Sequence, residues 1–148
     1  MFVYHSSSAE DTMAFGEKMS AHLEPGDVLT LQGDLGAGKT TFTKGLAKGL
    51  GIERTVNSPT FTIIKEYHGN LPLYHMDVYR LSEEEDLGFD DYFYSDGVTV
   101  IEWAERLGSQ LPEERLELTF KQQRERERTI MCMPKGSRYE RLCKELAR

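Results

Sequence analysis

The spacing of apolar residues along the chain predicts its helices and strands. Apolar residues recur at helical spacing over residues 9–23, and Ser8 followed by Asp11 is typical of a capped helix start. Further helices are predicted at 39–50 and 138–147. Short β-branched, aromatic or apolar runs predict strands at 28–31, 60–67, 73–79, 98–101, 116–120 and 129–133.

Two of these strand predictions carry more detail. The runs 60–67 and 73–79 are separated by a short turn at His68, Gly69 and Asn70, which predicts a β-hairpin. The run 98–101 is the most continuous β-branched stretch of the chain, and it predicts a strand that is buried on both faces.

Composition excludes several classes of protein. With 148 residues the chain has the length of one domain, here 1–148, and its net charge of −7 disfavours a broad grip on a phosphate backbone. No stretch has the roughly 18 apolar residues of a membrane helix, and the N-terminus shows no signal peptide. Its two cysteines, Cys132 and Cys143, form neither a metal-ligand spacing nor a disulfide framework. We therefore expect a cytoplasmic protein with no membrane partner.

A glycine-rich segment supplies the first candidate chemistry. Gly33–Thr40 reads GDLGAGKT and fits the phosphate-binding pattern G-x-x-x-x-G-K-[ST] between an apolar strand and a helix. Glycines let successive backbone N–H groups approach an anion, and the positive end of the next helix adds to their field. In this pattern Lys39 reaches the β- and γ-phosphates, and the Thr40 hydroxyl binds Mg²⁺.

A carboxylate is also needed beside the metal and the attacking water. Glu102 follows directly on the apolar run 98–101, as expected of an acid at the tip of a buried strand. Asp77 is a second candidate, although its surroundings alternate like those of a half-exposed strand. A guanine-specific Asn/Thr-Lys-x-Asp loop is absent, which favours adenine as the base.

Four sequence blocks together resemble one family. They are 33–41 (GDLGAGKTT), 57–61 (NSPTF), 75–80 (HMDVYR) and 101–105 (IEWAE). Their order and separations resemble the TsaE family, bacterial ATPases of threonylcarbamoyladenosine biosynthesis in tRNA. The resemblance covers about residues 8–133.

The resemblance implies a fold and a role. The fold would be α/β, a P-loop NTPase-like three-layer sandwich whose mainly parallel sheet is extended by antiparallel strands. The role would be an Mg²⁺-dependent ATPase of low turnover that resets a TsaB–TsaD-type complex, in which TsaD modifies adenosine 37 of tRNAs reading codons that begin with A. Contact with tRNA would be indirect.

The resemblance also implies residue roles. Lys39, Asp77 and Glu102 would be catalytic, and Thr40 and Glu102 would serve Mg²⁺. The nucleotide phosphates would lie against the loop of the first block, whose residues are Asp34, Leu35, Gly36, Ala37, Gly38, Lys39, Thr40 and Thr41. Thr60 would belong to a segment that senses the γ-phosphate.

Other features are open to more than one interpretation. We expect His75 to serve packing rather than catalysis, Arg80 to pair with the acidic run 82–96, and Trp103 to shield the site or pack beneath it. Residues 124–128 alternate Arg and Glu, which is typical of an edge strand. Two further functions remain, a small-molecule kinase and a nucleotide-gated binding module with negligible turnover.

Overall fold

A computed structural model describes residues 1–34, 36–56, 64–79 and 88–148. Its strands are β1 (Phe2–Ser6), β2 (Val28–Gly33), β3 (Ile64–Tyr67), β4 (Leu73–Asp77), β5 (Val98–Glu102), β6 (Arg115–Gln122) and β7 (Arg128–Lys135). The helices are α1 (Ala9–Ser20), α2 (Lys39–Gly49), α3 (Asp90–Phe93) and α4 (Ser137–Leu146), and a 3-10 segment runs over Ala104–Gln110.

The described strands form one seven-stranded sheet in the order β1-β7-β6-β2-β5-β4-β3. Its centre, β6-β2-β5-β4, is parallel, and the pairings β1–β7, β7–β6 and β4–β3 are antiparallel. This confirms the predicted α/β class, with a parallel centre extended by antiparallel strands. All five residues of β5 are buried, as its continuous apolar pattern predicts.

Helices cover both faces of the sheet unequally. On one face α1, α2 and α4 bury side chains such as Phe15, Phe42 and Leu142 against the strands. On the other face α3 and the 3-10 segment form a smaller cluster around Phe89 and Leu107. In the part of the chain that the structure describes, no helix is both long and apolar enough to cross a membrane.

Most predicted elements are found, with shifted ends. Helix α1 starts after Ser8, whose Oγ accepts a hydrogen bond from the Asp11 backbone N–H at 3.1 Å. The hairpin of β3 and β4 is antiparallel, with Ile64 opposite Met76; its predicted first residues, 60–63, lie outside the described residues. Strand β1, helix α3 and the 3-10 segment were not predicted.

One prediction was wrong. Residues 124–127 form the exposed turn between β6 and β7, so the alternating Arg and Glu side chains do not lie on an edge strand. The Gln123 N–H donates to the Glu127 carbonyl and the Glu127 N–H to the Arg124 carbonyl, which closes the turn. Only Arg128 of this segment belongs to a strand.

The parallel centre of the sheet fixes where a ligand site can form. Strands β2, β4 and β5 point the same way, so Gly33, Asp77 and Glu102 all emerge at one edge of the sheet. In open α/β sheets, ligands bind at the carboxyl ends of the strands.

Candidate phosphate-binding site

Two glycines that flank the loop between β2 and α2 have backbone conformations that favour glycine. Gly38 directly precedes α2 with a φ of 105°, a left-handed conformation that favours glycine. Gly33 has a φ of 148°, and a Cβ there would collide with the Phe120 carbonyl oxygen of neighbouring β6. Both glycines are therefore required by the path of the chain.

The start of α2 is open to an anion. Its N-cap is a glycine with no side-chain hydrogen bond, and its first turn holds no acidic residue. The N–H groups of a helix's first turn have no partner within the helix, and together with the helix dipole they attract negative charge.

A cavity of about 740 Å³ lies over this helix start. Its lining includes Gly36, Gly38, Lys39, Thr40 and Thr41 from the loop and α2, together with Asp77, Glu102 and Trp103 from the strand ends. The wall is completed by residues of the α1 start and of the β6–β7 turn, among them Ser8 and Arg128. A volume of this size suits a small-molecule ligand.

Glu102 lies at the centre of the charged part of this cavity. It is 5% exposed, its Oε1 is 3.8 Å from Lys39 Nζ, and its Oε2 is 2.9 Å from His75 Nε2. The loop lysine and the strand-end acid, predicted separately from the sequence, therefore form an ion pair.

Asp77 lies beside Glu102, because the two residues are paired in the register of β4 and β5. It is half-buried, lines the cavity, and its Oδ1 accepts a hydrogen bond from the Tyr79 backbone N–H at 3.0 Å. Two carboxylates and one ammonium group thus converge on the space above the loop.

The aromatic ring of Trp103 forms part of the wall of the cavity. Trp103 is the one non-glycine residue with positive φ in the described part of the chain, at 62°, and this turns the ring from β5 toward Lys39, whose Nζ is 5.5 Å from the ring centroid. Tyr79 packs on the ring at 4.8 Å between centroids. Trp103 lines the cavity, in line with the expectation that it shields the site.

The β6–β7 turn reaches the loop through one arginine. Arg128 Nη2 donates to the Gly36 carbonyl at 3.1 Å, and its Nη1 donates to the Arg124, Glu125 and Glu127 carbonyls of its own turn. The sequence did not predict this link between the turn and the loop backbone.

Two described residues of the predicted phosphate loop do not line the cavity. Ala37 is 1% exposed and packs into the core, and Asp34 is exposed, with its carbonyl accepting the Ala37 N–H at 3.0 Å. Leu35, Thr60 and Arg80 lie outside the described residues.

The oxygen donors fit a hard cation such as Mg²⁺. The Thr40 hydroxyl and the Glu102 carboxylate line the same cavity, and no cluster of three or more His, Cys, Asp or Glu residues able to hold a metal occurs in the described ranges. Mg²⁺ is usually held by one or two protein oxygens together with water and substrate phosphates, so this sparse set is the expected one.

Sequence and structure comparisons identify relatives of the chain. The family model described as threonylcarbamoyl adenosine biosynthesis protein TsaE matches residues 6–130. A Bacillus subtilis protein named tRNA threonylcarbamoyladenosine biosynthesis protein TsaE is 58% identical over 147 residues, covering 98% of this chain and 93% of its own. A Treponema pallidum protein of the same name is 55% identical over 111 residues, covering 73% of this chain and 82% of its own.

A solved structure agrees with these sequence matches. The crystal structure of Bacillus subtilis YdiB superposes with a TM-score of 0.89 at 52% identity, covering 99% of this chain and 93% of the YdiB chain. The match therefore covers the sheet, the helices and the glycine-rich loop between β2 and α2. The chain belongs to the TsaE family.

Proposed function

We propose that this chain is an ATP-binding and ATP-hydrolysing accessory subunit for threonylcarbamoyl modification of adenosine 37 in tRNA, acting with a TsaB–TsaD-type complex. The observation that carries the proposal is the cavity in which the loop lysine, the helix start and two strand-end carboxylates meet. Membership of the TsaE family supports the pathway.

The phosphates of ATP would replace a contact that the protein makes with itself. Backbone N–H groups of Gly36–Thr41 would bind the β- and γ-phosphates, and Lys39 would turn from Glu102 toward them. At 3.8 Å, Lys39 and Glu102 attract each other without a close hydrogen bond, so the lysine is available to a better partner. Ser8 and Arg128 line the same cavity and would border the nucleoside.

Thr40 and Glu102 would hold Mg²⁺ beside the phosphates. When bound, Mg²⁺ would supply positive charge that offsets the charge developing on the phosphates. Asp77, the neighbour of Glu102 across the β4–β5 pairing, would orient the attacking water. Trp103 and Tyr79 would restrict access of bulk water from one side.

The proposed dependence on partner proteins for reaching tRNA rests on the charge of the chain. The net charge of −7 opposes a wide tRNA-binding surface, so tRNA would be reached through the TsaB–TsaD-type complex. As the family resemblance implies, low ATP turnover of the isolated chain and a higher rate with its partners are expected.

Reconstituted tRNA modification tests this function. The assay is run without the chain, with wild type, with Lys39→Ala and with Lys48→Ala, an exposed lysine at the other end of α2. Wild type and Lys48→Ala are expected to sustain repeated modification of tRNA, whereas Lys39→Ala is not. Equal modification with and without the chain would refute the proposed role.

A further inference from the structure

His75 is a buried histidine at the back of the site. It is 0% exposed in β4, and its Nε2 lies 2.9 Å from Glu102 Oε2. Packing explains its burial but not this contact, since a side chain that serves packing alone needs no carboxylate partner. A specific hydrogen bond to the central acid of the site requires its own explanation.

The sheet brings the two side chains together. In β4, His75 and Asp77 lie two residues apart and so face the same side of the sheet. In β5, Val100 and Glu102 share that side, and the parallel register pairs His75 with Val100 and Asp77 with Glu102. His75 and Glu102 are therefore diagonal neighbours on the face where α2 begins.

The direction of this hydrogen bond follows from the surroundings of the two ring nitrogens. Nδ1 is buried and has no hydrogen-bond partner among the residues that the structure describes. Nε2 faces a carboxylate oxygen, which accepts from a donor. Hydrogen on Nε2 therefore makes His75 the donor to Glu102.

This hydrogen bond gives the two oxygens of the Glu102 carboxylate different roles. Oε2 is fixed from inside the sheet by His75, and Oε1 is the oxygen that is 3.8 Å from Lys39 in the cavity. An acid held through one oxygen keeps its other oxygen in a defined place. Outer residues that orient metal ligands commonly have this arrangement.

We propose that His75 is a positioning residue that orients Glu102 toward Mg²⁺ and the nucleotide. The proposal rests on the proposed function, because it needs Glu102 to serve the metal. His75 does not line the cavity, so it would touch neither nucleotide nor metal. It acts by removing the freedom of the carboxylate to turn away from the cavity.

Two substitutions separate positioning from packing. His75→Gln places an amide nitrogen close to the position of Nε2 and keeps a donor, whereas His75→Leu fills similar space without one. ATP affinity is measured by calorimetry with and without Mg²⁺, and turnover is measured alongside it. Loss of an orienting residue of this kind typically costs about 10–100-fold in metal affinity or activity.

Positioning predicts a specific split. His75→Leu should lose about 10-fold or more of the Mg²⁺-dependent gain in ATP affinity and of turnover, with ATP affinity in the absence of Mg²⁺ changed less than about 2-fold. His75→Gln should recover most of both. If the two variants behave alike, or if ATP affinity without Mg²⁺ falls equally, the positioning role is refuted.

A measurement without nucleotide keeps this test apart from the proposed function. In nitrogen-15 NMR spectra of the free protein, the Nε2–H signal of His75 should be that of a hydrogen-bonded donor, and Glu102→Gln should shift it. Absence of hydrogen on Nε2, or no response to Glu102→Gln, would overturn the inference. A wild type that fails to hydrolyse ATP would instead refute the proposed function, while the NMR result still decides the role of His75.

Discussion

Two buried carboxylates, Asp27 and Glu102, lie at opposite ends of the central parallel strands. Asp27 immediately precedes β2 and is 3% exposed; Glu102 ends the neighbouring parallel strand β5 and is 5% exposed. They are nearly equal in burial and both face a cation. Their hydrogen bonding, however, differs.

Asp27 is fully satisfied by the protein. Its Oδ1 accepts from Arg138 Nε at 3.1 Å, and its Oδ2 accepts from Arg138 Nη2 at 2.7 Å and from the Glu24 N–H at 2.8 Å. Burial opposes the charge of Arg138, but its hydrogen bonds to Asp27 and the charges of Asp27 and Glu24 outweigh this effect, so the Arg138 pKa is raised. This carboxylate joins α4 to the start of β2.

Among the residues that the structure describes, Glu102 is only partly satisfied. Oε2 has a hydrogen bond from His75, and Oε1 has Lys39 at a distance too long for a strong one. The contrast teaches that equally buried acids can differ in how fully the described residues satisfy them. The acid with hydrogen-bonding capacity directed into a cavity is the one we propose for function.

The largest expected effect is on stability at Asp27. Asp27→Asn keeps the shape but leaves the Arg138 charge without its buried partner, so the free energy of unfolding should fall by about 3–5 kcal/mol in urea denaturation. Glu24→Gln, which removes the exposed partner of Arg138, is the control and should cost about 1 kcal/mol or less. Similar losses in both variants would contradict the assignment of Asp27 as the central partner.

At Glu102 the matched substitution should affect turnover instead. Glu102→Gln keeps the hydrogen bond from His75 but removes the charge, so ATP turnover should fall roughly 10²–10³-fold. The free energy of unfolding should change by less than about 1 kcal/mol, because Lys39 lies 3.8 Å from Glu102 and no close hydrogen bond between them is lost. Wild-type turnover in this variant would remove its hydrolytic role, and a large loss of stability would erase the contrast with Asp27.

Substitution of Lys39 tests whether the phosphates of ATP bind in this cavity. Lys39→Ala removes the one side-chain ammonium paired with Glu102, and ATP affinity should fall roughly 100-fold, as expected for losing a charge-assisted contact. Calorimetric titration with ATP measures this, with Lys48→Ala as the control. Unchanged affinity in Lys39→Ala would mean that phosphate does not bind at this loop.

Tyr139→Phe tests the contact between α4 and β2, with a smaller expected loss of stability than Asp27→Asn. Its hydroxyl accepts the Val28 N–H at 2.8 Å, so Tyr139→Phe leaves a buried donor unpaired and should cost about 1–3 kcal/mol of unfolding free energy. No measurable loss would show that water replaces the hydroxyl.

The pH dependence of this variant gives a second readout. Burial raises the Tyr139 pKa to about 12 from 10.0, so the folded protein retains a proton that the unfolded chain releases between these values. Wild-type stability should therefore fall as pH rises from about 10 to 12, and the advantage over Tyr139→Phe should shrink. A constant difference across that range would contradict the shift.

The smallest expected effect concerns the reactivity of Cys132 and Cys143, which serves as a reference for the folding of the other variants. Burial, followed by the nearby Cys143, raises the pKa of Cys132 to about 12, and burial also raises that of Cys143. Neither thiol should react with iodoacetamide at pH 8 in the folded protein, whereas both should react in urea. Alkylation followed by mass spectrometry should be faster in Asp27→Asn and unchanged in Glu102→Gln.

Much of the site could be predicted because its signals are local. The glycine spacing before Lys39 and the acid directly after the apolar run of β5 are features of short segments, and both segments line one cavity in the structure. Asp34 and Ala37 do not line it, and a motif does not say which of its side chains face a ligand. The turn at 124–127 was misread because alternating charge in a turn has the same pattern as an edge strand.

His75 illustrates a signal that was present but insufficient. Its spacing from Asp77 places both on one face of β4, yet that spacing does not reveal which strand lies alongside. The hydrogen bond to Glu102 depends on the parallel register of β4 with β5, which pairs segments about 25 residues apart in sequence.

The sequence by itself determined helices α1, α2 and α4, most strands, the glycine-rich loop and the strand-end acid. These depend on side-chain periodicity and on residues within a few positions of each other, where local sterics and hydrogen bonding act. Only the tertiary structure decided which buried carboxylate is satisfied by the described residues and which is satisfied only in part. Arg138 reaches Asp27 across 111 positions and His75 reaches Glu102 across 27, so both contacts exist only after the sheet and α4 have packed.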